Sequence, residues 1–589
     1  MPISASRTRR NMTSAQRRAV VCKCVFFGLT GMARADWYDD IGYTALVARL
    51  QAASLPVPTG AGIRVTQVEA LSQGGYLPNT NSGELFGEPV VDMTGSGGFS
   101  GHANTVGKIF YGNVSSIAEN IAQIHAYESI DWMLDGYLRT TASGGPMDEW
   151  VEFGVEPPRV QNHSWVYVTV PDGLDFDGPG PIQPLLPGFT GQQIAIDALR
   201  RLDHVLDRDG VVAVVAVNNG SGSSIPNLLG NAYNAIVVGQ SNGSSSLGPS
   251  TLDVGGRSKP DLVASGDFPG ATPLVSRAVP KVASSAALLL ETATGDADAE
   301  RSETIKALLL AGATKDELAS WSHTKTQPLD LRYGAGDLNI DNSHAILEAG
   351  QQEASESVHV QPTGWDFDTI DSTNPLHYTF DIPHGQVADV LSIAVTWHRQ
   401  IAIDPGMGAL GSALLTPSLA NLDLKLYTEE EFTSSTPPPD DRQSTSGIDN
   451  VEHIFQHTPW FNGTYTIELT ADQTWDFALA WRAQLRTLKP GDVDADFDVD
   501  FQDFLLLQAG YGTTSGASWN DGDLDGDGDV DFQDFLLFQY DYWADGDTVS
   551  GDSVTQQAAV PEPAGFWLGL LAAICAASAP RVRKRMSRA

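Results

Sequence analysis

Residues 498–506 and 529–537 both read DVDFQDFLL, and each copy continues a run of aspartates at alternate positions. In the first run Asp492, Asp494, Asp496, Asp498, Asp500 and Asp503 fall on positions 1, 3, 5, 7, 9 and 12, and in the second Asp523, Asp525, Asp527, Asp529, Asp531 and Asp534 do the same. Calcium needs about six to eight hard oxygens at ~2.4 Å, and alternate residues of a tight loop aim them at one point. Each loop then opens into an apolar helix, FLLLQ at 504–508 and FLLFQ at 535–539. A solvated acidic tail has no reason to keep register with an aromatic helix start. Position 6 of such a loop turns sharply and favours glycine. Gly528 meets this in the second loop and Phe497 departs from it in the first, so the first site is expected to be the weaker.

The duplicated loop and helix resembles a dockerin module spanning 489–545, in which position 12 is Asp. The resemblance implies calcium as cofactor and a cohesin-like protein as partner. With 589 residues, 42% apolar content and 58 glycines, the chain can bury several cores, and three or four domains are expected. Its net charge of −38 argues against nucleic acid and anionic membrane as partners.

Both ends read as targeting signals. Arg7, Arg9, Arg10, Arg17 and Arg18 precede an apolar stretch from Ala19 to Met32, and Ala33-Arg34-Ala35 offers a small-x-small cleavage site, so 1–35 reads as a secretory signal peptide. At the other end Val560-Pro561-Glu562-Pro563 precedes an apolar segment, Ala564 to Ala579, and a basic tail. Residues 560–589 resemble the PEP-CTERM sorting signal of Gram-negative bacteria. That resemblance implies export to the cell surface and release by a sorting peptidase. The segment is short beside the ~20 residues of a stable transmembrane span, which suits a transient membrane anchor; an ordinary single-span anchor is the alternative. Cys22, Cys24 and Cys575 are the only cysteines, and all lie in segments expected to be removed. Thiol catalysis and cysteine-metal sites are thereby excluded from the mature chain.

Between the ends, the pattern changes once. From 36 to 350 short β-rich runs (IRVTQVEA at 63–70, VVAVVAV at 211–217, AIVVG at 235–239) alternate with helical stretches at 193–207 and 279–293, which predicts an α/β domain with a parallel sheet. The Gly/Pro/Ser-rich segment 218–276 reads as surface loops between late strands. From 356 to 488, LHYTFDI (376–382), DVLSIAVTWH (389–398), NLDLKLYT (421–428), GTYTIELTA (463–471) and WDFALAWRAQL (475–485) predict an antiparallel all-β sandwich, with 433–447 a long loop inside it.

Several motifs of the α/β region occur in an order that resembles the subtilisin family. Gly62-Ile63-Arg64-Val65-Thr66-Gln67-Val68-Glu69 stands where that family's first strand ends in an acid, and Gly101-His102-Ala103-Asn104-Thr105-Val106-Gly107 where it has GHGTHVAG. VQNHSW (160–165) resembles the substrate-binding strand and AVNNG (216–220) the oxyanion motif. AYNAIVVG (232–239), GRSKPDLVASG (256–266), LVSRAVPKVASSAALLL (274–290) and YGAGDLNI (333–340) follow. The sandwich resembles the one that follows many secreted bacterial subtilases. The resemblance implies a serine endopeptidase acting on a peptide or protein substrate, with Glu69 orienting His102 as base, Ser276 as nucleophile and Asn219 as oxyanion donor. Those residue types suit the chemistry: a serine hydroxyl attacks only when an imidazole accepts its proton and a carboxylate holds that imidazole's tautomer. Ser276 is expected to begin a helix with Pro280 in its first turn.

This chain departs from the family at four places. The acid is Glu; Ala103 and Thr105 replace Gly and His; Leu274 and Val275 replace the Gly-Thr before the nucleophile; and only about ten residues separate Gly266 from Ser276. Glu69 also follows the expected cleavage site too closely to leave room for a folding prosegment. A second function therefore stands beside the first: a catalytically inactive surface binding protein on the same scaffold, attached through the calcium module. The turn around Leu274 separates them, according to whether it can bring the Ser276 hydroxyl to His102.

Overall fold

Seven short runs form one sheet: β1 Arg64–Glu69, β2 Val90–Asp92, β3 Gln123–Glu128, β4 Val160–His163, β5 Val212–Ala216, β6 Ile236–Gln240 and β7 Leu262–Ala264. The computed structural model describes residues 37–545 apart from 96, 155, 171–172, 177–182, 185–189, 227 and 319. The expected signal peptide and sorting signal lie outside the described residues. Among those described, no helix is long and apolar enough to cross a membrane. The strands run in the order β7-β6-β5-β4-β1-β3-β2, and every pairing is parallel. A parallel sheet needs crossover connections that cover its faces, which is why β5, β6 and β7 are buried along their whole length.

The covering helices are α1 Tyr43–Ala52, α2 Gly101–Phe110, α3 Gly191–Asp209, α4 Val275–Ala293, α5 Ser302–Gly312 and α6 Ile340–Glu348. Threonine 190 caps α3 in a capping box with Gln193, and Gly210 ends it in the left-handed conformation. Helix α4 packs against β4 to β7 and against α2. Its buried face is mostly Ala, Ser and Val, and such small side chains let it lie close to the sheet.

The sandwich follows as β8 Thr363–Ile370, β9 Leu376–Ile382, β10 Gln386–Thr396, β11 Leu422–Thr428, β12 Gln443–Ser444, β13 Val451–Gln456, β14 Gly463–Ala471 and β15 Trp475–Thr487. They make two four-stranded antiparallel sheets, β8-β15-β10-β13 and β9-β14-β11-β12. Tyr378, Phe380, Ile393, Leu424, Ile467 and Trp481 fill the space between. Strand β8 was not among the runs that pattern alone singles out, because its residues TGWDFDTI mix charge with bulk.

The segment 218–276 is not a set of surface loops. Arg257, Ser258, Lys259 and Asp261 are all buried, and the charges are matched: Lys259 Nζ lies 2.8 Å and Lys306 Nζ 3.3 Å from the Asp261 carboxylate. Polar composition misleads here because buried polar groups are tolerated once they are paired. The run 433–447 also carries more order than a loop, with a 3₁₀ turn at Asp440–Arg442 leading into β12.

Two further helices, α7 Phe501–Gly510 and α8 Phe532–Asp545, each follow an aspartate loop. Phe504, Leu507, Phe535 and Phe538 form a core that also includes Val387 of β10 and Leu488 after β15. The two loop-helix units are therefore seated on the sandwich. Trp519 fastens them, its indole N–H donating to the Asp492 carbonyl at 2.7 Å and its ring lying 5.2 Å from that of His384.

Candidate active site

Parallel strands end together, so the loops beyond their carboxyl ends meet along one edge of the sheet. Glu69 is the last residue of β1, and its side chain is 1% exposed. His102 lies in the first turn of α2, which Ser100 caps by accepting from the Ala103 N–H. Nδ1 of His102 is 2.6 Å from Oε2 of Glu69. The other carboxylate oxygen, Oε1, accepts from Gln67 Nε2 at 2.8 Å, and that same amide donates to the Ala103 carbonyl at 3.0 Å. Tyr111 donates its hydroxyl proton to the Gln67 side-chain oxygen, Oε1. Gln67 and Glu69 share one face of β1, as residues two apart on a strand must. Gln67 thus positions the acid. Its two-residue spacing from Glu69 is the one signal of this role that the sequence carries.

The Glu69 carboxylate raises the pKa of His102 above its usual value by favouring the imidazolium; burial and the nearby Arg277 guanidinium oppose this. With Nδ1 engaged by Glu69, Nε2 is the nitrogen left to accept a proton. His102 opens into a cleft lined also by Ser164, Trp165, Asn219, Leu274 and Ser276.

Ser276 is the second residue of α4 and is 9% exposed. Leu274, at the N-cap, has φ −144° and ψ 148°. That is extended backbone open to any residue, so a side chain at this position introduces no strain. The helix starts one residue before Ser276, and Pro280 sits in the second turn rather than the first. A proline there has no N–H for the carbonyl four residues back, which is that of Ser276. Asn219 Oδ1 accepts from the Val275 N–H at 2.9 Å. Its amide nitrogen is thereby left to donate, near the Ser276 N–H, which as one of the first four of the helix has no acceptor within it. Among the described residues no hydrogen bond joins His102 to Ser276; the two share the walls of the cleft.

His102, Asn219 and Ser276 thus line one cleft, and the buried Glu69 meets it through His102. A buried carboxylate oriented on an imidazole, a hydroxyl at a helix start and two N–H donors are the parts needed for acyl transfer.

The aspartates gather as well. Asp492, Asp494 and Asp503 present ligand atoms within 4.8 Å of one another, as do Asp498, Asp500 and Asp503, then Asp523, Asp525 and Asp534, and Asp529, Asp531 and Asp534. Asp503 accepts from the Val493 and Asp500 N–H groups, and Asp534 from those of Leu524 and Asp531. Asp496 and Asp527 stand outside these groups and accept from the N–H two residues on. Oδ1 of Asp492, Asp494 and Asp529 are buried without a hydrogen-bond partner. Burial, with neighbouring carboxylates adding to it, raises the pKa of Asp494 and Asp529. Orphaned carboxylate oxygens held together in this way fit a hard cation, and calcium suits an all-oxygen set. Phe497 takes φ 86°, the same as Gly528 in the second loop. The turn is therefore made in both loops, with a side chain in the strained position of the first.

Residues 96–336 match the family model of the subtilases. That span contains His102, Asn219 and Ser276, while Glu69 precedes it. No curated protein matches the chain's sequence. Among solved structures the chain is similar to the prenylagaramide maturation protease PagA, with 17% identity over 51% of this chain and 97% of that one and a TM-score of 0.33. It is also similar to the serine protease of Aeromonas sobria, solved in complex with its chaperone, with 14% identity over 72% of this chain and 88% of that one and a TM-score of 0.33. A protease of Pseudoalteromonas arctica is 17% identical over 49% of this chain and 91% of its own, with a TM-score of 0.30.

Proposed function

We propose that this protein is a secreted, surface-sorted serine endopeptidase of the subtilisin type, hydrolysing peptide bonds through an acyl-enzyme on Ser276. The observation that carries the reading is the 2.6 Å contact between the buried Glu69 carboxylate and Nδ1 of His102, which lines a cleft together with Ser276 and Asn219. Nε2 takes the Ser276 proton as Oγ bonds to the scissile carbonyl carbon. The carbonyl oxygen becomes an oxyanion, and the Ser276 N–H and Asn219 Nδ2 donate to it. The imidazolium, stabilised by Glu69, then gives its proton to the departing amine as the carbon–nitrogen bond breaks. Water repeats the sequence on the ester, returning the proton to Ser276 and freeing the carboxylic acid.

A serine-directed phosphonate should label Ser276 in calcium-loaded protein, and both Ser276→Ala and His102→Ala should abolish labelling and lower hydrolysis by ~10⁴-fold or more. Absence of labelling in folded wild-type protein would favour the inactive binding protein instead.

The aspartate loops suit calcium, held by Asp492, Asp494, Asp498, Asp500 and Asp503 in the first and by Asp523, Asp525, Asp529, Asp531 and Asp534 in the second. Bound there, the ion neutralises repelling carboxylates and so adds its binding free energy to folding. On this reading the module attaches the enzyme to a cohesin-like partner at the surface of a Gram-negative cell. The intact mass of protein recovered from the cell surface checks the sorting step, which predicts loss of both 1–35 and the segment after 563.

A further inference from the structure

Where the sandwich meets the α/β domain, three ligating side chains converge from three elements. Asp207 comes from the last turn of α3, Glu303 from the first turn of α5, and His398 from just beyond β10. His398 Nδ1 lies 3.2 Å from Glu303 Oε1 and 3.5 Å from Asp207 Oδ1. All three offer ligand atoms within 4.8 Å of one another. His398 and Glu303 are buried, and the Asp207 side chain is 34% exposed.

Four features set this cluster apart from an ordinary ion pair. Nδ1 of His398 is buried and makes no hydrogen bond although two carboxylates face it. Among the described residues neither Asp207 nor Glu303 has a Lys or Arg partner within ion-pair distance, so two carboxylates share one imidazole. The spacing fits a small ion: tetrahedral bonds of about 2.0–2.1 Å place neighbouring ligands about 3.3 Å apart. Finally, the outer partners are in place. Ser302 Oγ stands 3.4 Å from His398 Nε2 and donates to Glu303 Oε2 at 3.2 Å, so Nε2 can carry the ring proton while Nδ1 offers its lone pair.

We propose that Asp207, Glu303 and His398 bind a divalent transition-metal ion of zinc type, which clamps the sandwich to the α/β domain. The nitrogen donor and the tetrahedral spacing select zinc over calcium, which takes more oxygens at longer distances. Water completes the coordination on the exposed side of Asp207.

The test uses the full chain in excess calcium, so that the aspartate loops are filled. Dialysis against micromolar zinc followed by elemental analysis should find one zinc per chain, and cobalt(II) in its place should give the intense visible absorption of a four-coordinate site. His398→Gln and Asp207→Ala should each weaken zinc binding by ~10-fold or more. Because Asp207 is part-exposed, Asp207→Ala should keep the wild-type circular dichroism and lose only the rise in Tm that zinc confers. Wild-type protein that takes up no zinc would overturn the proposal. So would zinc uptake undiminished in both variants, which would locate the ion elsewhere.

Discussion

Glu69 reaches His102 because its longer arm spans the gap from the end of β1, and both of its oxygens are committed, one to His102 and one to Gln67. Shortening that arm by one methylene opens a 2.6 Å contact beyond hydrogen-bonding range unless the backbone moves. Glu69→Asp is therefore expected to reduce kcat/KM by ~10²-fold or more, and Glu69→Gln to approach the ~10⁴-fold loss of an imidazole left in the wrong tautomer. Gln67→Leu keeps the acid but removes its second partner, and a loss of ~10-fold with KM little changed is expected, read from steady-state kinetics. The pH profile supplies an independent check. Glu69 raises the pKa of His102, and only the neutral imidazole can accept the serine proton. Activity should hence fall on acidification through a midpoint above the usual histidine value, and that midpoint should move down in Glu69→Gln.

At the scale of the element, the two aspartate loops have the same turn with different residues in it. Phe497 at φ 86° carries the penalty of a side chain in the left-handed region, ~1–2 kcal/mol. Part of this is offset by the Arg486 guanidinium, which stacks 3.8 Å from the Phe497 ring centroid and also donates to the Ala495 carbonyl. Arg486 lies 3.4 Å from the Asp492 carboxylate as well, so a cation already stands at the first position of that loop. Calcium should accordingly bind the second loop more tightly. Isothermal titration should find that Asp523→Ala removes the tighter of two sites and Asp492→Ala the weaker. The raised pKa values of Asp492, Asp494, Asp503, Asp525 and Asp529 come first from burial. Calcium needs those carboxylates ionised, so it should begin to leave at a higher pH than ordinary aspartates would allow.

For the whole molecule the decisive contact is between the α/β domain and the sandwich. Helix α5 has all eleven residues buried and packs on β10 and β15 of the sandwich as well as on β5 of the sheet. Arg399, just beyond β10, pairs with Asp203 and Asp253 of the α/β domain, and both carboxylates are almost fully buried. Removing one partner of a buried pair strands the other charge, at ~3–5 kcal/mol. Arg399→Ala should thus lower Tm by several degrees, seen by calorimetry, even though the residue is remote from the cleft. The wedge position of α5 makes the sandwich part of the α/β domain's own core, so a chain cut before β8 is expected to aggregate.

The sequence alone determined much that is periodic or local. Strands β1, β5 and β6 and the sandwich strands β9, β11 and β14 were legible within a residue or two, because alternation and valine-rich runs report directly on burial. Glu69, His102, Asn219 and Ser276 could be singled out as candidates from their motifs, and the aspartates from their two-residue spacing. What the tertiary structure alone decided depends on residues distant in the chain. The tolerance of Leu274 before Ser276 rests on a backbone angle that no composition reveals. The burial of 218–276 depends on Lys306 arriving from α5 to meet Asp261, and the meeting of Asp207, Glu303 and His398 needs two domains to dock. A local pattern records which face of an element is apolar; it holds no record of which partner will pair a buried charge, since that partner is chosen only when the elements pack.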